Sequence, residues 1–119
     1  LGSVITGKNL KRVISKMIIE LANGPTLPEA DSVLHEKGIL VLPDILANAG
    51  GVTVSCYEWQ QNLAGEKWSA QRVDNSLKEA MLANTSLVLD TAKQYSANTR
   101  MGAYILALKR IAEKIEQKQ

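Results

Sequence analysis

Two short apolar runs, separated by a segment with helical spacing, dominate the first half of the chain. Residues 17–21 read Met-Ile-Ile-Glu-Leu and residues 39–42 read Ile-Leu-Val-Leu. Runs of this length that are rich in β-branched residues favour buried strands. Between them, apolar residues at helical spacing predict a helix over 27–37. The order strand, helix, strand predicts a βαβ unit with parallel strands and a right-handed crossover.

The predicted crossover helix carries a signal at each end. Thr26 and Glu29 fit a capping box, in which each side chain accepts a hydrogen bond from the backbone N–H of the other residue. Gly38 fits the left-handed position that follows a helix C-terminus. After the second apolar run, Asp44 is predicted to cap a helix that continues through Gly50-Gly51. This glycine pair disfavours a helix by about 1 kcal/mol per residue, which indicates that something must approach the backbone there.

Helical spacing also predicts the remaining elements. A short helix is expected over 6–16, and Ser69 is expected to cap a long helix whose apolar face is broken by Asn84. A last helix is expected to begin near Thr99. Its predicted inward face consists of Tyr104, Ile105, Leu108, Ile111, Ala112 and Ile115.

Composition fits this picture of one soluble α/β domain. The chain has 119 residues, 45% hydrophobic and 22% charged, with a formal net charge of +2. These values exclude intrinsic disorder, and no apolar run approaches the roughly 20 residues of a membrane span. The small charge gives no reason to expect nucleic acid or a membrane as partner. Cys56 is the single cysteine and is expected in the core, while the single histidine, His35, is expected at the surface. Neither a disulfide nor a metal cluster can be built from them, so a cytoplasmic location is expected.

Two strands are too few for a stable parallel sheet, which needs cover on both faces. We therefore expect the chain to be the C-terminal part of a doubly wound domain whose earlier strands lie upstream. The alternative is a compact α/β module in which helices close over a small sheet.

Distinctive polar residues follow both predicted strands. The first strand leads into Asn23-Gly24, and the second leads to Asn48 and the glycine pair. In an open α/β sheet, ligands bind beyond the carboxyl ends of the strands, so the two groups are expected to share one ligand-binding edge. Ser55 lies two helical turns beyond Asn48 and is expected to reach the same ligand. The alternative is that Asn23 and Gly24 only form a turn and that Asn48 only caps a helix. No catalytic apparatus and no metal site is evident in the sequence.

Two long motifs resemble those of a known enzyme family. Residues 20–31 read E-L-A-N-G-P-T-L-P-E-A-D and resemble the E-G-A-N-G-P-T-T-P-E-A-D stretch of glutamate dehydrogenases. Residues 42–55 read L-P-D-I-L-A-N-A-G-G-V-T-V-S and resemble the second signature of that family. The likeness covers essentially the whole chain. Leu21 stands where the family has Gly, and Leu27 stands where it has its second Thr.

The resemblance implies a Rossmann-like fold, with a partial NAD(P)-binding region over 1–62 and a C-terminal helical region over 63–119. It implies NAD or NADP as cofactor, with Asn23, Gly24 and Asn48 near its nicotinamide end. It also implies glutamate as substrate, with Ser55 on its side-chain carboxylate and Val52 packed beside it.

The family's catalytic residues belong upstream, so the chain alone is expected to be inactive. The full-length enzyme is expected to be a homo-hexamer. Two alternatives are a segment of a leucine, valine or phenylalanine dehydrogenase and a non-catalytic α/β interaction module.

Overall fold

A computed structural model describes residues 2–117 and shows a mixed α/β fold, as the sequence predicts. A two-stranded sheet and a crossover helix form the first half, and four helices follow. In chain order the elements are β1 (Met17–Ile19), α1 (Pro28–Glu36), β2 (Leu40–Leu42), α2 (Asp44–Ala47), α3 (Ala49–Ala64), α4 (Ala70–Gln94) and α5 (Thr99–Glu116). Among these residues, no helix is long and apolar enough to cross a membrane.

The sheet confirms the predicted βαβ unit. Strands β1 and β2 are parallel, with Ile18 opposite Val41 in the central pair. Helix α1 covers the sheet, and its buried Ala30 and Leu34 join Leu10 and Val41 in one core cluster. This register brings the carboxyl ends of both strands to the same edge of the molecule.

The helix predicted over 6–16 is wrong. This segment forms one 3₁₀ turn, Leu10–Arg12, and only Leu10 within that turn is buried. The Asn9 side chain accepts a hydrogen bond from the N–H of Thr6 and donates one to the carbonyl of Val4, which fixes a local turn instead of a helix. Before this turn, Ile5 forms an isolated parallel bridge with Thr26.

Helix α1 ends as predicted but begins differently. Gly38 has a φ of +71°, and its N–H donates to the carbonyl of His35 in the arrangement typical of a left-handed helix end. The predicted capping box is wrong, because Leu27 is the N-cap residue and provides no side-chain hydrogen bond. The bridge with Ile5 holds Thr26 in extended backbone, one residue too early to cap the helix.

The single helix predicted after Asp44 is also wrong, because the chain breaks into α2 and α3 at Asn48. Asn48 has φ −100° and ψ 5°, so its backbone departs from helical geometry between the two helices. Helix α3 contacts α2 and α4, but none of its residues is buried. Cys56, which was expected in the core, is therefore exposed, and so is Trp59.

Helices α4 and α5 form an antiparallel pair whose ends match the sequence signals. Ser69 caps α4 by accepting a hydrogen bond from the N–H of Arg72, and α5 begins at Thr99. The inward face predicted for α5 is wrong, however. Gly102 and Ala103 are buried against α4. Of the residues predicted to point inward, Ile105 is half-buried, whereas Tyr104, Leu108, Ile111, Ala112 and Ile115 are exposed.

Candidate functional site

The two asparagines that follow the strands meet at the shared sheet edge. The Asn48 side-chain nitrogen donates a hydrogen bond of 2.6 Å to the Asn23 side-chain oxygen. The same nitrogen lies 3.4 Å from the carbonyl oxygen of Leu21. The structure therefore brings together the two residues that parallel strands were expected to bring together. We call this contact the asparagine pair.

Gly24 makes the sharp turn that returns the chain from this edge. Its φ of +57° is in the left-handed region that favours glycine. Its N–H donates a hydrogen bond of 2.8 Å to Asp44 Oδ2. Gly24 thus links the turn after β1 to the first residue of α2.

Asp44 has a different role from the cap that the sequence indicates. It is the first residue of α2, and its Oδ1 accepts from the N–H of Ile45. Partial burial raises its pKa, but the hydrogen bonds from Gly24 and Ile45 and the guanidinium of Arg100 outweigh this effect. The net result is that the pKa of Asp44 lies below its ordinary value.

The start of α3 presents a smooth, exposed surface beside the asparagine pair. A Cβ added at Gly51 would meet no atom within 4 Å, so the fold itself does not require glycine at this position. Val52 is 70% exposed, and Ser55 is exposed as well. Ser55 lies seven residues after Asn48 in sequence, in the second turn of α3.

An ion cluster behind this edge was not predicted from the sequence. Arg100, in the first turn of α5, contacts the carboxylates of Glu20 at 2.6 Å, Asp44 at 3.0 Å and Asp31 at 3.3 Å. The Glu20 side chain is 0% exposed and that of Arg100 is 17% exposed. Burial lowers the pKa of Arg100, but the surrounding carboxylates raise it by more than burial lowers it. The net pKa is therefore above the ordinary value, and the guanidinium stays charged.

One signal in the sequence points to this cluster. Glu20 interrupts an otherwise apolar run, and a carboxylate in a buried strand requires a partner. The sequence does not show which of its 14 basic residues supplies that partner, because Arg100 is 80 positions away.

The arrangement can bind a polar ligand but contains no evident proton-transfer group. Within residues 2–117, Asn23 Nδ2 and Asn48 Oδ1 form no hydrogen bond, so the pair retains one donor and one acceptor. His35 is exposed on α1, as expected. No group of three His, Cys, Asp or Glu residues among the described residues is arranged to hold a metal ion.

Comparison with known proteins gives the family. The model of the Glutamate/Leucine/Phenylalanine/Valine dehydrogenase family matches residues 1–118. The NADP-specific glutamate dehydrogenase of Synechocystis sp. is 47% identical over 118 residues, which are 99% of this chain and 28% of that protein. A crystal structure of glutamate dehydrogenase from Peptoniphilus asaccharolyticus superposes with a TM-score of 0.93 at 41% identity, over 99% of this chain and 30% of that one.

A hetero-hexameric glutamate dehydrogenase from Thermus thermophilus, in a Leu-bound form, gives a TM-score of 0.92 at 31% identity, over 99% of this chain and 28% of that one. The chain thus spans less than a third of the length of these relatives. The match to the family model over residues 1–118 shows that the chain belongs to the Glutamate/Leucine/Phenylalanine/Valine dehydrogenase family.

Proposed function

We propose that the chain is a segment of an NAD(P)-dependent glutamate dehydrogenase and forms one wall of its cleft. The reaction is the reversible oxidative deamination of glutamate to 2-oxoglutarate and ammonia. The asparagine pair carries this proposal, because it lies at the sheet edge where open α/β folds bind ligands. The relatives that match the whole chain are glutamate dehydrogenases.

The residues at this edge fit the nicotinamide end of the cofactor. Asn23 retains an amide donor and Asn48 an amide acceptor, which suit a carboxamide or ribose hydroxyls. The turn at Gly24 and the open surface over Gly51 let a planar group lie against the backbone. Bound NAD(P) would supply the hydride acceptor for deamination.

Helix α3 supplies the proposed substrate contacts. The Ser55 hydroxyl donates a hydrogen bond to the side-chain carboxylate of glutamate, and Val52 packs against the aliphatic part of the substrate. Both side chains are exposed on α3. A serine here suits a substrate with a second carboxylate better than leucine, valine or phenylalanine, whose side chains offer no partner to a hydroxyl.

Two regions of the chain are assigned different parts of the enzyme. Residues 1–62 belong to a Rossmann-like NAD(P)-binding region and residues 63–119 to its C-terminal helical part; the first boundary falls two residues before the end of α3. Proton transfer requires groups outside the chain, so purified 1–119 shows no turnover with glutamate and NAD⁺ or NADP⁺. The complete enzyme works in the cytoplasm as a homo-hexamer.

Substitution of Ser55 in the complete polypeptide tests the proposal. S55A removes one hydrogen bond to a charged group, worth about 1.5–3 kcal/mol, so the KM for glutamate rises roughly ten- to hundredfold. The matched control is S86A, since Ser86 is an exposed serine on α4, a different helix from the one that carries Ser55. Initial rates of glutamate oxidation, measured with NAD⁺ and with NADP⁺, give the KM for glutamate and kcat of each variant.

The alternatives predict different results in the same assay. A leucine, valine or phenylalanine dehydrogenase oxidises its own substrate equally well with and without the Ser55 hydroxyl. An interaction module oxidises none of these amino acids, and that result would overturn the proposed function.

A further inference from the structure

Each strand is followed by a carboxylate, Glu20 after β1 and Asp44 after β2. Within residues 2–117, Arg100 is the only residue of α5 whose side chain contacts both of them. It reaches Glu20 at the end of β1 and Asp44 at the start of α2, which lie 80 and 56 positions before it in the sequence. The Glu20 side chain is fully buried and that of Asp44 is 19% exposed. Charge-assisted hydrogen bonds in such surroundings are short and directional. Arg100 therefore fixes both carboxylates from behind the ligand edge.

Each of these carboxylates uses its second oxygen on the backbone of the other strand end. Glu20 Oε2 accepts a hydrogen bond of 2.9 Å from the N–H of Asp44, which follows β2. Asp44 Oδ2 accepts one of 2.8 Å from the N–H of Gly24, which follows β1. The two strand ends are thus joined by two reciprocal hydrogen bonds, and the guanidinium orients both acceptors.

Each residue of the asparagine pair is attached to one of the residues joined by these two hydrogen bonds. Gly24 is the neighbour of Asn23 in sequence, and the Asn48 N–H donates to the backbone carbonyl of Asp44 at 3.1 Å. A shift of either carboxylate would therefore move one asparagine relative to the other. The pair is only 2.6 Å across, so a shift of less than 1 Å breaks it.

We propose that Arg100 is a positioning residue for the asparagine pair: by holding Glu20 and Asp44, its guanidinium sets the separation of Asn23 and Asn48 at the ligand edge. The proposal rests on the proposed function only where it concerns cofactor binding. The contacts of the guanidinium are with the three carboxylates, so the role proposed for Arg100 is positioning and not ligand contact. The planar fork matters as well as the charge, since it must reach Glu20 and Asp44 at once.

Asp31 provides a matched control within the same cluster. It also contacts Arg100, but its remaining bond is to the Asn98 side chain, the cap of α5. D31N therefore weakens the ion cluster and the start of α5 without cutting the connection to Gly24 or Asn48. R100K keeps a positive charge but removes the fork.

The experiment compares R100K and D31N in the complete polypeptide by hydrogen exchange and by kinetics. Exchange is followed by mass spectrometry, without ligand, in peptides that contain the amides of Gly24 and Asp44. R100K accelerates this exchange at least about tenfold, whereas D31N changes it by less than about threefold. In the kinetic assay, R100K raises the cofactor KM at least about tenfold and leaves the glutamate KM within about twofold, because Ser55 lies two turns along α3.

The outcomes separate this inference from the proposed function. Unchanged exchange in R100K, or equal effects of R100K and D31N, would show that Arg100 only stabilises the fold and would overturn the proposal. If the wild-type polypeptide oxidises no amino acid, the proposed function fails and the exchange result alone decides the role of Arg100. If R100K does not fold, D44N replaces it. Its single amide oxygen cannot serve Gly24, Ile45 and Arg100 together, so the same acceleration is expected.

Discussion

At the scale of single residues, Leu27 shows how one side chain changes a helix start. It occupies the N-cap position of α1, where Ser, Thr, Asp or Asn usually accepts a hydrogen bond from the first turn. Leu27 offers no such acceptor, and the neighbouring Thr26 hydroxyl is buried with no hydrogen-bond partner in the described part of the chain. The cap that the sequence predicts at Thr26 is therefore missing from this helix.

Substitution of Leu27 by threonine restores the missing cap. We expect L27T to raise the free energy of unfolding of the chain by about 0.5–2 kcal/mol, because its hydroxyl can accept from the first turn of α1. T26V is the control. It removes a buried hydroxyl without a partner, so it should be neutral or slightly stabilising. Urea denaturation measures the free energy of unfolding of both variants. If T26V lowers it by more than about 1 kcal/mol, the Thr26 hydroxyl does cap the helix and the assignment of Leu27 as its N-cap residue is wrong.

The lowered pKa of Asp44 predicts a pH dependence at the same scale. Its ordinary value is 3.8, and the folded value lies below it. Asp44 therefore contributes stability that is fully present above its unfolded pKa and is lost as the pH falls through its folded pKa. Wild type and D44N should differ by a constant amount above about pH 5 and by a smaller amount below pH 3.8. Denaturation at pH 7 and at pH 3 measures this difference, with D90N, at an exposed position of α4, as the control.

At the scale of elements, the helix pair α4–α5 depends on a close backbone approach. A Cβ added at Gly102 would lie 2.8 Å from the Ala92 Cβ and from the Val88 carbonyl oxygen. These atoms belong to the backbone and the first side-chain atom of α4, so they cannot move away without moving the helix. Gly102 thus lets α5 pack through its small residues.

Alanine at this position should force the two helices apart. We expect G102A to lower the free energy of unfolding by about 1–3 kcal/mol, the usual effect of overpacking. The matched control is G51A on α3, where an added Cβ meets nothing within 4 Å. It should stabilise the chain by up to about 1 kcal/mol through helix propensity. Thermal unfolding compares them, and equal effects of the two substitutions would contradict the close approach.

The same helix pair explains which elements could be predicted from sequence. The parallel strands, α1 and the starts of α4 and α5 were predicted, because apolar runs and caps are local signals. The inward face of α5 was predicted wrongly, because a search for helical periodicity assigns the face with large apolar residues to the core and gives no weight to a glycine. Gly102 and Ala103 pack inward for a steric reason that lies in α4. The asparagine pair could be anticipated from strand direction alone, whereas the Arg100 cluster depends on contacts across 80 residues.

At the scale of the whole molecule, large apolar side chains are exposed on several elements, and α5 carries the longest regular series of them. On α3, Val52, Trp59 and Leu63 are each more than 60% exposed. On α5, large apolar residues recur at alternating spacings of three and four, the pattern of a helix that packs on a partner. They are Met101, Tyr104, Leu108, Ile111 and Ile115, and each is about half or more exposed. Soluble monomers rarely expose contiguous apolar stripes of this length.

This surface predicts how the 119-residue chain behaves in isolation. We expect it to bind a hydrophobic dye such as ANS and to self-associate as its concentration rises, because the α5 stripe has no cover within residues 2–117. The double variant L108K/I111K places two charges in the middle of the stripe and should remain monomeric with little dye fluorescence. The control L82K/L87K adds the same charges at exposed positions of α4, outside the stripe, and should leave self-association unchanged. Sedimentation velocity at several concentrations distinguishes the two variants. Equal behaviour of both would mean that net charge, and not the α5 stripe, governs association.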